Sequence, residues 1–525
     1  MGEQRRFDIA VIGSGFAGSL MAMIARRLGK SVILLERGKH PRMVIGESST
    51  PLSNLLLDEL ADKYDLPSIK SLTKWGPWQT AHPELACGLK RGFSFFHHRF
   101  GEPRPPWTDR SRQLLVAASP HDRIADTHWY RADFDFFLLR QAQALGAEYL
   151  DEVHLSECVE LNGGLQLRGI RAGRDVTVQA SFVVDATGPR GFLHRALKLG
   201  ESELPGFPAT QALYSHFSGV SQIKDMSGRD YWKEAPYPVD DAAVHHIFDG
   251  GWVWVLRFNN GIVSAGVVAV DKLANHLELS TGEAGWNRLL GRIPALKEQF
   301  AGAKAVEPFR HIRRVGFRSA SIVGRNWALL PSAAGFVDPL LSTGFPLTLL
   351  GVGRLAKIIA EDWDTKQFRV QLETYASKTE GELLATARLI GALYANMANF
   401  PVFAALSLLY FTAASYSEAA RRLGKSHLAT SFLLHDDLQF GPQCRQVLER
   451  AASVRPGRES DELIEDIRRI IEPLDVAGLR NATRGNWYPV EAEDLLASVN
   501  KLGATRPEVM RMLERCGFEC VTSRP

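Results

Sequence analysis

Phe7-Asp8-Ile9-Ala10-Val11-Ile12 is apolar at every position but one, the pattern of a strand buried on both faces of a parallel sheet. Gly13-Ser14-Gly15-Phe16-Ala17-Gly18 follows, then small and apolar residues at helical spacing as far as Gly29-Lys30. A second apolar run, residues 31–35, is closed by Glu36. Strand, glycine turn, helix, strand and acid in that order predict a βαβ unit that holds a dinucleotide. Gly13 permits the tight turn, Gly15 lets a pyrophosphate approach the backbone, Gly18 allows close helix–strand packing, and Glu36 can accept from ribose hydroxyls.

Further along, Phe182-Val183-Val184-Asp185-Ala186-Thr187-Gly188 reads as another buried strand ending in a small-residue turn. Trp327-Ala328-Leu329-Leu330 is one more apolar run. Beyond it, Gly335-Phe336-Val337-Asp338-Pro339-Leu340-Leu341-Ser342-Thr343-Gly344 leads into a helical pattern over 345–359. A strand-to-helix junction presents free backbone N–H groups and the positive end of a helix dipole, which suits a flavin's polar edge or a small anion. Taken alone, Pro339 and Gly344 shape a turn and Ser342 or Thr343 caps the helix.

Residues 88–95 predict a strand with Lys90 on the face of Gly88, Gly92 and Ser94, small neighbours that leave space beside its ammonium. By residue type alone Lys90 reads as a surface lysine. Trp252 and Trp254, in Gly251-Trp252-Val253-Trp254-Val255-Leu256, share one face of a strand and fit a core equally well. From about Lys378 the pattern is helical. Residues 400–414 are the most apolar run, interrupted by Pro401, Ser407 and Thr412 and short of the roughly 20 apolar residues of a membrane span, so a buried helix is expected. Leu463, Ile464, Ile467, Ile470 and Ile471 stripe a later helix, preceded by a polar loop over 456–461.

The chain has 525 residues, enough for two or three domains. Its 62 Lys and Arg against 59 Asp and Glu leave a net charge of +3, which argues against nucleic acid as the partner. Cys87, Cys158, Cys444, Cys516 and Cys520 are odd in number and scattered, without CxxC spacing: reduced thiols, no metal site and a cytoplasmic location are expected. The charged opening from Glu3 to Arg6 runs straight into a strand, not a signal peptide.

The fingerprint, the 182–188 strand and the Gly335 region together resemble the glutathione-reductase-type FAD fold of flavin monooxygenases. An α/β fold is therefore expected, with an FAD module over 1–375 that carries an inserted substrate-side sheet, and a helical C-terminal region over 376–525 covering the substrate cavity. Arg131, before Asp133-Phe134-Asp135, matches the same pattern and would otherwise read as a surface ion pair. No second dinucleotide fingerprint is present, so FAD is expected to arrive reduced, as FADH2, from a separate NAD(P)H-dependent flavin reductase. More specifically, Gly46-Glu47-Ser48, the Trp252/Trp254 segment and Phe336-x-x-Pro339-x-x-Ser342-x-Gly344 resemble the flavin-dependent halogenases of antibiotic and other secondary metabolism. The Trp segment departs at Leu256-Arg257, where that family usually has Ile-Pro. Ala86 to Phe95 and His245-His246-Ile247-Phe248 are most similar to halogenases of free, phloroglucinol-type phenols.

This resemblance implies that FADH2 and O2 convert chloride or bromide to hypohalous acid, which Lys90 directs by hydrogen bonding or as a haloamine. It implies FAD contacts from Gly13, Gly15, Phe16, Ala17, Gly18, Glu36, Arg37, Arg42, Glu47, Ser48, Arg131, Asp185, Gly188, Asp338 and Gly344. Thr343 and Gly344 bind halide, and Trp252, Trp254 and Pro339 shield the flavin from substrate. Leu341 stands where tryptophan halogenases carry a glutamate, favouring a phenolic or similarly electron-rich ring, free or carrier-bound. His97, His98 and Glu47 are candidates for a base. A flavin-dependent hydroxylase or reductase on the same scaffold is the alternative.

Overall fold

Residues 5–518 of the protein are described by a computed structural model; Glu3 and Cys520 lie outside them. Strand β1 (Arg5–Ile12), helix α1 (Phe16–Arg27) and strand β2 (Val32–Leu35) form the expected βαβ unit. Helix α2 is Pro51–Lys63, and four strands follow: β3 (Cys87–Lys90), β4 (Gly92–His97), β5 (Gln113–Ala117) and β6 (Asp126–Trp129). Next come α3 (Arg131–Ala144), β7 (Glu148–Leu150), β8 (His154–Leu161), β9 (Gly164–Arg171) and β10 (Arg174–Asp185). The last labelled strands are β11 (Thr210–Ser218), β12 (Ala243–Phe248), β13 (Gly251–Arg257) and β14 (Val263–Val270).

Two sheets organise the fold. One runs β7-β2-β1-β10-β9-β8, with Trp327–Leu329 beside β10. Its centre is parallel and carries the first strand next to the 182–188 run, register Ile12 to Asp185. The second contains β11-β14-β13-β12-β4-β5 in that order. Against them pack α4 (Gly344–Glu361), α5 (Gln367–Ala395), α6 (Phe400–Arg422), α7 (Arg458–Ile471) and α8 (Arg506–Arg515).

Three expectations change here. The predicted strand over 88–95 is two strands in different sheets: β3 pairs β6, while β4 pairs β5 and β12, and the chain turns between them at Arg91. Arg91 holds that turn by donating to Asp122 at 2.6 Å and to the Pro120 carbonyl at 2.7 Å. The apolar run over 400–414 extends to a 23-residue helix, long and apolar enough to cross a membrane by length and composition, although 78% of its apolar window is buried in the protein. The polar loop ends at Gly457, and Arg458 already belongs to α7, where Glu459 and Asp461 favour the positive helix N-terminus.

Candidate active site

A cavity of about 790 Å³ opens where β1, α1, β13 and the Gly335 region converge. Gly13, at φ +96°, makes the turn, and Gly15 and the start of α1 face the space with no side chain capping the helix. Gly18 does not line the cavity. A Cβ there would stand 1.9 Å from the Gly13 carbonyl oxygen, so its role is the close crossing of helix over strand. Glu36 accepts from the Ser14 N–H at 2.9 Å, the Gly38 N–H at 2.8 Å and Arg42 at 3.1 Å. Burial raises its pKa, but Arg42 and those N–H donors outweigh burial and hold the carboxyl below its usual range. One oxygen, Oε1, accepts from Gly38 alone and keeps room for a ribose hydroxyl.

Phe16, Ala17, Arg37, Arg42, Glu47, Ser48, Arg131 and Gly188 also line this cavity. Arg131 is fixed by a paired contact to Asp135, 2.7 and 2.8 Å, and donates to the Gly46 carbonyl at 2.7 Å. It is a buried, positioned cation and not a surface pair. Asp185 is a correction: it lines no part of the cavity, because its carboxylate accepts from the Thr187 and Leu193 N–H groups and so shapes the turn that carries Gly188.

Around Gly344 the backbone does most of the work. Ser342 adopts φ +55°, its N–H donating to the Pro339 carbonyl at 2.9 Å, while Leu340 N–H donates to Asp338. Among the described residues neither the Thr343 nor the Gly344 N–H is donated to a protein acceptor, and both residues line the cavity at the start of the 18-residue α4. Free N–H groups at a helix start attract an anion. Thr343 has no capping bond, which removes that simpler reading.

Trp252 and Trp254 lie on one face of β13, ring centres 5.7 Å apart, and with Pro339 form one wall of the same cavity. Tyr394, unforeseen in the sequence, accepts from Trp252 Nε1 at 3.1 Å and donates to Asp338 at 2.9 Å. Burial pushes the Asp338 carboxyl up to about 7 against the pull of the Tyr394 bond. Leu256-Arg257 closes β13 differently: Arg257 donates to the carbonyls of Val220, at 3.0 Å, and Ser221, and its own carbonyl lies where a Cβ on Gly88 would be.

Lys90 is fully buried and belongs to the wall of neither this cavity nor the second one described below. Its ammonium donates to Ser48 Oγ at 2.8 Å and to the Ser49 carbonyl, and lies 3.8 Å from the centre of the Phe93 ring. Ser48 belongs to the wall of the first cavity. Phe93 and Thr50 belong to the wall of a second, about 490 Å³, so the lysine stands between the two. Burial lowers its pKa to about 7, with Asp126 opposing. The space expected beside it is filled: Cβ atoms on Gly88 and Gly92 would meet the carbonyls of Arg257 and Val116.

The second cavity is lined by α2, by Phe93 and Pro346, and by Tyr410, Phe411 and Ala414 of α6. Asn54 and Lys74 face it too and went unnoticed in the sequence; the available signal for Asn54 was one polar residue within the leucine-rich face of α2. His97 and His98 are corrections as bases, since neither lines either of the two cavities. His98 pairs with His246 at 2.9 Å; His97 stacks on Phe400, and burial with Arg112 and Arg99 lowers its pKa to about 4. Glu47 stays in the first cavity, bonded to His216 at 2.8 Å, with Oε2 buried and unpartnered.

Comparison with known proteins decides the family. The tryptophan halogenase family model matches residues 125–399, just over half of the chain. The chain belongs to the flavin-dependent halogenases. Tetracycline 7-halogenase of Kitasatospora aureofaciens is 28% identical over 408 residues, covering 76% of this halogenase and 72% of the relative. The monodechloroaminopyrrolnitrin halogenase PrnC of Pseudomonas fluorescens is 28% identical over 392 residues, 73% of this chain and 66% of that one. The crystal structure of halogenase PltM with phloroglucinol and FAD superposes with a TM-score of 0.78 at 23% identity, over 91% of this chain and 99% of that chain, a likeness of fold. The enzyme is thus an FAD-dependent oxidoreductase that uses FADH2 and halide and needs a flavin reductase. The first cavity fits FAD: glycine turn, ribose acceptor and paired guanidinium occur in the order a dinucleotide requires.

Proposed function

We propose that this halogenase attaches chlorine or bromine to a phenolic ring in the second cavity, using hypohalous acid held by Lys90. The observation that carries the reading is the place of Lys90, buried between the flavin cavity and a second, largely apolar one. Bound reduced flavin, with O2, supplies the oxidation of halide to hypohalous acid. Thr343 and Gly344 offer the halide their free N–H groups, and Trp252, Trp254 and Pro339 keep the ring away from the flavin. Two protons of the Lys90 ammonium go to Ser48 and Ser49; the third meets the Phe93 ring face, and it is this proton that is proposed to reach the hypohalous oxygen.

The ring carbon then attacks halogen: the carbon–halogen bond forms as oxygen–halogen breaks, and hydroxide leaves with the ring proton as water. A phenol is favoured because Leu341, fully buried and apolar, stands before Ser342-Thr343-Gly344, where a carboxylate would be needed to steady a less activated ring. FAD is assigned to Gly13, Gly15, Phe16, Ala17, Glu36, Arg37, Arg42, Arg131 and Gly188, with Glu47, Ser48, Asp338 and Gly344 at its reactive end. The test is mass spectrometry of products from a panel of phenols with FAD, a reductase, NADH, O2 and either halide. Wild type is expected to give the halogen isotope pattern, and Lys90→Ala to lose it while still oxidising reduced flavin. Hydroxylated product, or halogenation untouched by the substitution, overturns the role of Lys90.

A further inference from the structure

Asn54 is wholly buried in α2, lines the second cavity, and has an amide whose orientation is forced. Ser49 Oγ gives its only proton to the Thr127 carbonyl at 2.7 Å, so toward Asn54 it must accept, and it does, from Nδ2 at 3.1 Å. The same nitrogen donates to Asp126 Oδ1 at 2.8 Å. Asn54 Oδ1 is left buried with no hydrogen-bond partner, as is Asp126 Oδ2. Asp126 Oδ1 also accepts from Lys74 Nζ at 3.0 Å, and Lys74 lines the same cavity with part of its side chain exposed. A buried acceptor without a donor is costly, so the group that completes this cluster carries an O–H or N–H. Around it the cavity offers ring-sized apolar surface in Phe93, Pro346, Tyr410 and Phe411.

We propose that Asn54 and Lys74, tied together by Asp126, are the polar pole of the substrate cavity and take the hydroxyl of the phenol. Asn54 Oδ1 accepts the phenolic O–H; Lys74 Nζ donates to the phenolic oxygen and balances its charge as the ring gives up electron density. The ring then lies against Phe93, which also meets the Lys90 ammonium at 3.8 Å. Asp126 is a positioning residue on both sides, since it orients Asn54 and Lys74 and is the register partner of Lys90 on β6. This inference rests on the phenolic reading above.

The test compares a phenol with its methyl ether, which has no O–H to donate, as substrates of wild type, Asn54→Leu and Lys74→Met. Flavin binding and the thermal midpoint report folding, and Lys74→Met, at a partly exposed position, carries the test should Asn54→Leu not fold. Wild type is expected to prefer the phenol by at least about 100-fold, because a site built around a hydroxyl rejects the analogue lacking it. In each variant kcat/KM for the phenol falls about tenfold, mainly through KM, and the preference over the ether shrinks by the same factor. Folded variants that keep the wild-type preference, or that lose phenol and ether in equal proportion, overturn the proposal. Halogenation of indoles or pyrroles but of no phenol sinks both readings; phenol halogenation with unchanged preference sinks this one alone.

Discussion

The two cavities on either side of Lys90 are built by opposite means. The binding features of the flavin cavity are local chain, although its wall gathers several segments: a glycine turn, an acid at the end of the next strand, and two free N–H groups at a helix start, each set by neighbours within a few residues. The second cavity is made of distant segments, α2, the Phe93 strand, α6 and the residues after α8. Its apolar surface tolerates exchange of one side chain for another of similar size, whereas the flavin cavity depends on atoms that cannot be moved. Substitutions on the two sides should therefore differ in kind as well as in size.

Gly18→Val is expected to have the largest effect. Its Cβ would overlap the Gly13 carbonyl oxygen at 1.9 Å, so α1 cannot stay against β1, and the cost exceeds the roughly 1–3 kcal/mol typical of overpacking. Flavin binding, measured by fluorescence, and every activity with it should vanish. Retained flavin would mean that the close crossing of α1 over β1 is not what holds it.

Lys90→Met comes next and should separate the two sides. Halogenation is expected to drop by about 10²- to 10⁴-fold, the range for a positioned proton donor, with flavin affinity kept. The same variant has a stability signature. Burial holds the Lys90 pKa at about 7, below the ordinary lysine value of 10.5, so between those values the unfolded chain binds the proton and the folded one does not. Stability of wild type should consequently rise with pH across that window relative to Lys90→Met. Parallel urea curves at pH 7 and pH 10 check it; a constant difference between the proteins would mean an ordinary lysine.

Glu36→Gln acts on the flavin side alone. Losing the charge leaves Arg42 unpaired and weakens the ribose acceptor, an effect of about 1.5–3 kcal/mol or roughly 10- to 100-fold in the Kd for FAD. Saturating FAD should restore halogenation, which a disturbed second cavity would not allow.

The same contrast explains what was legible in the sequence. Gly13 to Glu36 and Phe336 to Gly344 could be placed because turn chemistry and strand pattern are written within short windows, and the structure keeps both. Lys90 could be singled out by resemblance but not located: alternation over 88–95 hides the break at Arg91, and small residues that suggest open space are small because carbonyls of other strands occupy it. Asp185 has the right strand and the wrong task, since its carboxylate is spent on its own turn. Asn54, Lys74 and Asp126 in one place, and Tyr394 and Asp338 in another, come together only through pairings between segments far apart in the chain. Nothing local marks Tyr394 as the partner of a tryptophan 142 residues away.

Tyr394→Phe should give the smallest effect and tests how firmly α5, which brings Leu383 to the flavin cavity, is tied to its wall. The hydroxyl bridges Trp252 and Asp338, accepting from one and donating to the other. Its loss removes two hydrogen bonds worth about 0.5–1.5 kcal/mol each and leaves the Trp252 N–H with the Asp338 carboxylate as its acceptor. Burial already holds the Asp338 carboxyl at about 7, so the folded protein keeps a proton that the unfolded chain releases from pH 3.8 upward, and stability falls with pH across that window. The Tyr394 bond pulls this pKa down, so its removal should push the carboxyl higher and carry the fall beyond pH 7. A variant that is less stable than wild type by a margin growing from pH 5 to pH 8, with Lys90-dependent halogenation still measurable, would tie α5 to the flavin wall. A margin that stays flat with pH would confine Tyr394 to packing and leave the two cavities mechanically independent.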